Sequence, residues 1–240
     1  MIRLFLPPKN LSSQQVVISG DQARYLSSVV RLKPGELLTI FDGRGRRYVC
    51  KSLKIQKKEV IVEKVEEELF SAESPLSLIL AQGIPKGDKM DLIIQKSTEL
   101  GVEKIVPLIT ERSQIRHTER RERWHKIALS ASQQSGREKV PIILKPVNLH
   151  EFLERHHTGH GIMLSEEVEE RNFRKTLNDL QGVAGITLLV GPEGGFSKNE
   201  VTAAIEKGFK SVSLGPRILR TETAPITALS IIQYELGDVG

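Results

Sequence analysis

The chain has 240 residues, of which 39% are apolar and 27% charged. This composition is typical of a folded globular protein and excludes a disordered one. No apolar run reaches the length that spans a bilayer, and we expect neither a signal peptide nor a membrane partner. The single cysteine, Cys50, excludes an intrachain disulfide and a cysteine-based zinc site, which suits the reducing cytoplasm.

The formal net charge of +5 lies in the N-terminal region. Residues 1–70 contain 13 Lys and Arg against 8 Asp and Glu, whereas the remaining 170 residues contain 22 of each. A basic region beside a neutral one indicates an anionic partner for the basic region. Charge alone favours nucleic acid and an ordinary solvated surface equally.

The first 70 residues consist of short apolar segments separated by turns. Strands are predicted at 16–18, 37–41, 47–50 and 59–62, with a short helix inside 20–31 and turns at 33–35 and 42–45. This pattern predicts a small β-barrel over residues 1–70. The charged stretch 66–75 is the predicted linker.

From residue 76 the pattern changes to strands that alternate with amphipathic helices. Strands are predicted at 76–81, 104–110, 141–144, 161–165, 186–191 and 211–215, and the clearest helices at 88–100 and 120–135. Ser197 and Glu200 have the spacing of a capping box, which predicts a helix start. The alternation predicts an α/β domain over residues 74–240 with a mostly parallel sheet covered on both faces.

Two loops rich in glycine and proline each follow an apolar strand and precede a helix. The first is 191–195, Gly-Pro-Glu-Gly-Gly, and the second lies within 213–224. We expect them at the carboxyl ends of neighbouring strands, where open α/β sheets bind ligands. The first loop lacks both the dinucleotide fingerprint and the phosphate-loop motif, so it offers a ligand mainly exposed backbone. The alternative is a tight turn between strand and helix.

Charged side chains give these regions further candidate roles. Arg217 and Arg220 suit substrate positioning and Glu222 suits acid–base chemistry, although an Arg–Glu surface pair is the alternative. The basic run within 112–126 fits a phosphate-contacting strip and a solvated helix face equally well. The nearby histidines lack the spacing of a metal motif, so no metal is expected; they are His156, His157 and His160.

Taken together, these motifs resemble the SPOUT superfamily of S-adenosylmethionine-dependent RNA methyltransferases. The two loops carry the resemblance, and the segments 86–90, 95–101 and 133–137 extend it over essentially the whole chain. It is greatest to the branch that methylates N3 of a uridine in 16S rRNA. One departure is Gln133-Gln134, where that branch is expected to have an acidic residue before the glutamine.

The resemblance implies a deep trefoil knot at about 161–240, an exception to the rule that chains do not thread loops. It also implies a PUA-like RNA-binding first domain and a homodimer, with 16S rRNA or the small ribosomal subunit as partner. The residues implied in binding S-adenosylmethionine are Leu164, Ser165, Leu189, Gly191, Pro192, Glu193, Gly194, Gly195, Leu214, Gly215, Ile218, Leu219, Arg220, Thr223 and Ala224. The arginines predicted to bind RNA are Arg24, Arg31, Arg44, Arg46, Arg112, Arg116 and Arg137.

The expected reaction is methyl transfer to a uridine N3 that is unpaired and has lost its proton. Arg220 is expected to stabilise the uracil anion, and Glu222 either accepts the proton or orients Arg220. One alternative is the same fold acting on tRNA or on a ribose 2′-hydroxyl. The others are a non-catalytic ribosome-binding protein and a nucleotide-dependent oxidoreductase, the latter disfavoured by the missing fingerprint.

Overall fold

The computed structural model describes residues 2–68, 72–115, 118–155, 159–165 and 173–240. The chain divides into two compact units, the first formed by 1–73 with 132–140 and the second by 74–131 with 141–240. The predicted division at 70–74 placed residues 132–140 in the second domain, whereas they pack within the first unit.

The first unit is built on a five-stranded sheet in the order β1-β3-β4-β5-β2. Its strands are β1 (Ile2–Phe5), β2 (Gln15–Ser19), β3 (Leu37–Phe41), β4 (Arg47–Ile55) and β5 (Glu59–Glu68). The β1–β3 pair is parallel and the other pairs are antiparallel. All four predicted strands are present, and β5 extends into the predicted linker; β1, a short strand at one end of the order, was not predicted.

Alternation along the strands places one face of this sheet in a core. On β2, Val16 and Ile18 are buried whereas Val17 between them is exposed, as expected for side chains that alternate between faces. A short helix, α1 (Gly20–Arg24), continues as one π-helical turn, and Leu26 in that turn joins the core. Cys50 lies in the same core, where burial raises the pKa of its thiol to about 11, so the thiol stays protonated at neutral pH.

Buried ion pairs hold residues 132–140 in the first unit. The side chain of Glu138 is fully buried, and its Oε1 accepts a hydrogen bond from Nη1 of Arg47 at 3.1 Å. The Nη2 of Arg3 lies 3.5 Å from the same oxygen. A buried carboxylate is tolerated only when it is paired, so these partners explain why this segment packs with the first unit.

The second unit is built on a seven-stranded parallel sheet, which confirms the predicted parallel arrangement. The strand order is β12-β10-β11-β6-β7-β8, with β9 also pairing with β7. All its pairs are parallel. The strands are β6 (Ser77–Gly83), β7 (Lys104–Ile109), β8 (Ile142–Ile143), β9 (Val147–Asn148), β10 (His160–Leu164), β11 (Gly185–Val190) and β12 (Lys210–Val212).

Helices follow most of these strands, as the alternation predicts. They are α2 (Lys89–Glu99), α3 (Arg121–Ser135), α4 (Leu149–Arg155), α5 (Phe173–Asn178), α6 (Lys198–Glu206) and α7 (Thr223–Leu236). The capping box at the start of α6 is confirmed: Glu200 N donates to Ser197 Oγ at 3.2 Å, and Ser197 N donates to Glu200 Oε2 at 2.8 Å. Of the helices in the described ranges, none is long and apolar enough to cross a membrane.

The strands that lead into the two glycine-rich loops, β11 and β12, are not neighbours. Strand β10 lies between them and pairs with both, so the predicted adjacency is wrong. Local sequence patterns identify strands but not their order, which depends on how the connections cross the sheet. Since parallel strands end at one edge of a sheet, the two loops still meet, with the end of β10 between them.

Candidate functional site

A cavity of about 1340 Å³ lies at the carboxyl ends of β10, β11 and β12. Small-molecule sites usually enclose about 300–1,000 Å³, so this cavity is large enough for a small-molecule ligand. The predicted binding residues that line it are Leu164, Ser165, Gly191, Pro192, Glu193, Gly194, Gly195, Leu214, Gly215, Ile218, Leu219, Arg220 and Ala224. The structure therefore brings the two loops and the end of β10 into one site.

The first loop, residues 191–195, folds tightly on itself. A Cβ added to Gly191 would lie 3.0 Å from Cα of Gly195, and Gly195 has a left-handed φ of +66°. The amide of Gly195 donates to the carbonyl of Pro192 at 2.8 Å. These positions need glycine because a side chain would collide with the loop or strain its backbone, and the same lack of side chains lets a ligand approach the main chain.

The second loop, residues 213–222, is more open. Gly215 has a φ of +113°, and its amide donates to Ser213 Oγ at 3.2 Å. Ile218 is 79% exposed. The loop ends in a turn that begins α7, where the amides of Thr223 and Ala224 donate to the carbonyl of Arg220 at 2.8 and 2.9 Å.

Arg220 is a positively charged residue near the end of the second loop. Its side chain is exposed and lines the cavity wall. Considering only the residues whose placement is described, this guanidinium makes no hydrogen bond or ion pair. Because a guanidinium has five N–H donors and no acceptor, Arg220 is available to an anionic or carbonyl-bearing ligand.

Lys89, at the start of α2, lies against both loops. Its Nζ is 2.9 Å from Oε1 of Glu193 in the first loop and 3.6 Å from Oε2 of Glu222 in the second. The hydrogen bond to Glu193 raises the pKa of Lys89. Burial acts to raise the pKa of Glu193, but the hydrogen bonds from Lys89 and from backbone amides outweigh it and lower that pKa. Both groups are therefore charged at neutral pH.

Three predicted site residues are placed differently from the expectation. Glu222 does not line the cavity, and its carboxylate faces Lys89 rather than Arg220. Leu189 is fully buried in the core of the second unit, whereas its neighbour Val190 lines the cavity, because adjacent strand residues face opposite sides of a sheet. Thr223 is exposed on the first turn of α7, outside the lining.

Sequence reasoning missed several residues that support the loops. Lys89 lies within the segment 86–90, which predicted no role for it, and Gln82, near the end of β6, lies one residue beyond the predicted strand 76–81. Gln82 is fully buried and contacts Gly191 and Thr221. A polar residue at the carboxyl end of a central parallel strand is the signal that identifies such a position.

Four of the predicted RNA-binding arginines are exposed on the first unit, namely Arg24, Arg31, Arg44 and Arg46. Arg24 lies 3.4 Å from Asp21, and Arg46 lies 3.8 Å from Glu67. Exposed pairs of this kind are weak and leave the arginines accessible to phosphate.

The other predicted arginines differ from these four. Arg112 lines the cavity, and its Nη1 donates to the carbonyl of Gly194 at 2.9 Å, which helps to hold the first loop. Arg137 is only 3% exposed, and its Nη2 lies 2.7 Å from Oε2 of Glu73. The charge of Arg137 is therefore buried and paired with Glu73, which does not favour the predicted contact with RNA. Arg116 lies outside the described residues.

No group of three or more His, Cys, Asp or Glu side chains in the described part of the chain is arranged to hold a metal ion. His160 begins β10. His156 and His157, the other members of the predicted histidine cluster, lie outside the described residues.

Known proteins resemble this chain over nearly its whole length. Residues 72–233 match the RNA methyltransferase domain family, and residues 18–65 match the RNA methyltransferase PUA domain family. Ribosomal RNA small subunit methyltransferase E of Bacillus subtilis is 32% identical over 228 residues, covering 91% of this chain and 89% of its own. The protein of the same name from Synechocystis is 34% identical over 234 residues, covering 96% of this chain and 76% of its own.

A solved structure has the same fold over the same span. The crystal structure of ribosomal RNA small subunit methyltransferase E from Neisseria gonorrhoeae, bound to S-adenosyl methionine, matches with a TM-score of 0.90 at 39% identity and covers 100% of both chains. The matched residues include both glycine-rich loops and the cavity that they form. This chain is therefore an RNA methyltransferase that belongs to the ribosomal RNA small subunit methyltransferase E family.

Proposed function

We propose that this protein transfers a methyl group from S-adenosylmethionine to N3 of a uridine in 16S rRNA. The observation that carries the proposal is the cavity where two glycine-rich loops meet beside the accessible guanidinium of Arg220. The Neisseria gonorrhoeae relative, which this chain matches along its full length, is bound to S-adenosyl methionine, and the family acts on rRNA according to the names of its members.

The donor fits the residues present. Apolar side chains suited to an adenine ring line the cavity, and the glycines expose main-chain groups that can pair with adenine, ribose and amino-acid moieties. When bound, the donor supplies a methyl group carried on a positively charged sulfur. The lining residues proposed to hold it are Leu164, Ser165, Gly191, Pro192, Glu193, Gly194, Gly195, Leu214, Gly215, Ile218, Leu219 and Ala224.

Arg220 is the residue proposed to act on the acceptor base. N3 of uridine attacks the methyl carbon only after losing its proton, which we assign to water, and this loss leaves negative charge on the uracil carbonyl oxygens. The bond from N3 to the methyl carbon forms as the carbon–sulfur bond breaks, and S-adenosylhomocysteine leaves. A guanidinium held beside those oxygens stabilises this charge as an oxyanion hole does. Glu222 points to Lys89, so we assign it the positioning of the second loop instead of proton transfer.

The first unit is proposed to hold the RNA. Arg24, Arg31, Arg44 and Arg46 are exposed there, and residues 1–70 carry the whole net positive charge of the chain. Contacts from arginine to phosphate supply affinity that is independent of sequence and sensitive to salt. The match of residues 18–65 to a PUA domain family supports the same role.

The finer architecture is also proposed. Residues 1–70 with 132–140 form a PUA-like barrel, and 74–131 with 141–240 form the SPOUT methyltransferase domain with a trefoil knot at about 161–240. The protein acts in the cytoplasm as a homodimer, on 16S rRNA or the small ribosomal subunit. In this dimer the exposed apolar side chains beside the cavity, Ile218 at 79% and Tyr234 at 66%, are proposed to pack against the partner subunit.

The test is methyl transfer to small ribosomal subunits that lack their own modification. Purified protein is incubated with tritium-labelled S-adenosylmethionine, and the labelled nucleoside is identified and mapped. We expect label in 3-methyluridine at one position of 16S rRNA. Label in a ribose 2′-O-methyl group or in tRNA would overturn the acceptor assignment, and failure to bind the donor would favour a non-catalytic ribosome-binding protein.

A further inference from the structure

The end of strand β6 lies against the starting point of the first loop. Gln82 is paired with Val190 in the β6–β11 register, and Gly191 follows Val190 directly. The Gln82 side chain is fully buried. An amide in this position must find its hydrogen-bond partners among the loops, because water does not reach it.

The Gln82 amide nitrogen contacts both loops. Its Nε2 lies 2.9 Å from the carbonyl oxygen of Gly83, 3.3 Å from that of Gly191 and 3.4 Å from Oγ1 of Thr221. Three oxygens around one atom identify it as the nitrogen of the amide. Gly191 belongs to the first loop and Thr221 to the second, so one buried donor spans them.

Thr221 completes the connection. It is 7% exposed, and its Oγ1 donates to the carbonyl of Gly191 at 2.9 Å. Gly191 therefore receives the Thr221 hydroxyl and the Gln82 amide at the same oxygen. These contacts form a latch, defined here as Gln82, Thr221 and the Gly191 carbonyl, which joins loops that follow non-neighbouring strands.

Stability alone does not account for a glutamine at this position. The Oε1 of Gln82 is buried and makes no hydrogen bond within the described residues. A buried acceptor without a partner lowers stability, and an apolar side chain would avoid that cost. The polar side chain thus has a use in holding the loops.

Gly83 fixes the first loop from the same strand. A Cβ at Gly83 would lie 2.5 Å from Cδ of Pro192 and 2.6 Å from its nitrogen. The main chain of β6 therefore packs directly against the loop. Together with the latch, this contact restricts the position of the first loop relative to the sheet.

We propose that Gln82 and Thr221 are positioning residues that align the two loops and thereby set the affinity for the methyl donor. This inference rests on the proposed function, since the aligned loops are the donor site. Thr221 lines the cavity next to Arg220, but its hydroxyl donates to the Gly191 carbonyl, and Gln82 lies outside the lining. The latch therefore acts on donor binding more than on turnover. Saturating donor restores the aligned arrangement, because a ligand shifts a conformational equilibrium toward the state that it binds.

The test compares Thr221→Val, which keeps the shape and loses the hydroxyl, with Thr221→Ser, which keeps the hydroxyl. Donor affinity is measured by calorimetry on the full chain with S-adenosylmethionine, and turnover by tritium transfer at saturating donor. We expect the valine variant to bind about tenfold more weakly, the effect of one hydrogen bond to a buried carbonyl. Its turnover should fall much less, and the serine variant should bind close to wild type.

Gln82→Met provides a second route to the same latch, since methionine fills a similar volume without an amide. We expect Gln82→Met to bind the donor more weakly than wild type. In the double variant with Thr221→Val, the loss of donor affinity should be smaller than the product of the two single losses, because both side chains act on one carbonyl. Independent effects that multiply fully would contradict a shared latch. If Thr221→Val fails to fold, the donor affinity of Gln82→Met alone tests whether the latch sets donor binding.

Hydrogen exchange without any donor separates failure of the latch from failure of the proposed function. The backbone amides of residues 191 and 193–195 should exchange faster in Thr221→Val than in Thr221→Ser or wild type. Wild-type protein that binds no donor would overturn the proposed function, and faster exchange in the valine variant would still support the latch. A folded valine variant with wild-type donor affinity and wild-type exchange would overturn the latch.

Discussion

The two loops of the cavity are held in different ways. The first, residues 191–195, is fixed by its own tight backbone, by Gly83 and by the side chains of Lys89 and Arg112. The second, residues 213–222, leaves Ile218 79% exposed and Arg220 accessible, and it is attached mainly near its end through Thr221. The first loop therefore presents a fixed main-chain surface to the methyl donor. The second loop also lines the donor site but keeps Arg220 accessible to the acceptor RNA.

The sharpest test of this contrast is to remove the charge from the open loop. We expect Arg220→Ala to lower turnover about a hundredfold or more, the usual effect of losing a charge-stabilising donor, while the donor affinity stays near wild type. Turnover is measured by tritium transfer and affinity by calorimetry. Arg217→Ala, at another exposed arginine lining the cavity, is the matched control and should lose much less. Wild-type turnover in Arg220→Ala would refute its catalytic role.

Displacing the first loop should weaken donor binding instead of slowing turnover. Gly83→Ala adds a methyl group 2.5 Å from Cδ of Pro192 at a position with no left-handed backbone strain. The loop must move away, and we expect the donor to bind about tenfold or more weakly, since overpacking costs about 1–3 kcal/mol. Calorimetry measures the affinity, and thermal unfolding reports whether stability alone has changed. An unaltered affinity would mean that the first loop is not rigid.

Lys89 connects the two loops from the surface, so its loss should affect both only moderately. We expect Lys89→Met to weaken donor binding by a few-fold, because exposed ion pairs contribute about 0–1 kcal/mol. The effect should shrink at high salt, where screening has already weakened the pair in wild-type protein. Donor affinity measured at low and high salt checks this, with Lys96→Met, which breaks an ion pair within α2, as the control.

The smallest expected effect is the pH dependence of the same ion pair. The pKa of Glu193 is lowered, so the stabilisation from its charge is present above the unfolded-state pKa, about 4.3, and is lost as pH falls through the folded-state pKa. The pKa of Lys89 is raised, so its contribution is lost only as pH rises through a value above about 10.4. The free energy of unfolding that this pair contributes should be flat near neutrality and decline in acid, as measured by thermal unfolding. A decline that persists in Lys89→Met would assign it to other groups.

Much of the local structure was predictable because it depends on neighbouring residues. The alternation of strands and helices after residue 76 follows from the spacing of apolar side chains. Ser197 and Glu200 form the capping box that their spacing indicated. Both loops carried their glycines at positions where a tight turn or a left-handed φ excludes other residues, as at Gly195, so the candidate site was recognisable in outline.

Only the tertiary structure decided which residues meet. The insertion of β10 between β11 and β12, the burial of Arg137 against Glu73, and the contact of Glu222 with Lys89 all depend on residues that are distant in the chain. Gln82 and Thr221 are 139 positions apart, and neither carries a local pattern that names its partner. The sequence by itself determined the elements, the loops and the family, because these rest on periodicity and motifs. The partners of each buried polar group were decided by packing, which no local pattern encodes.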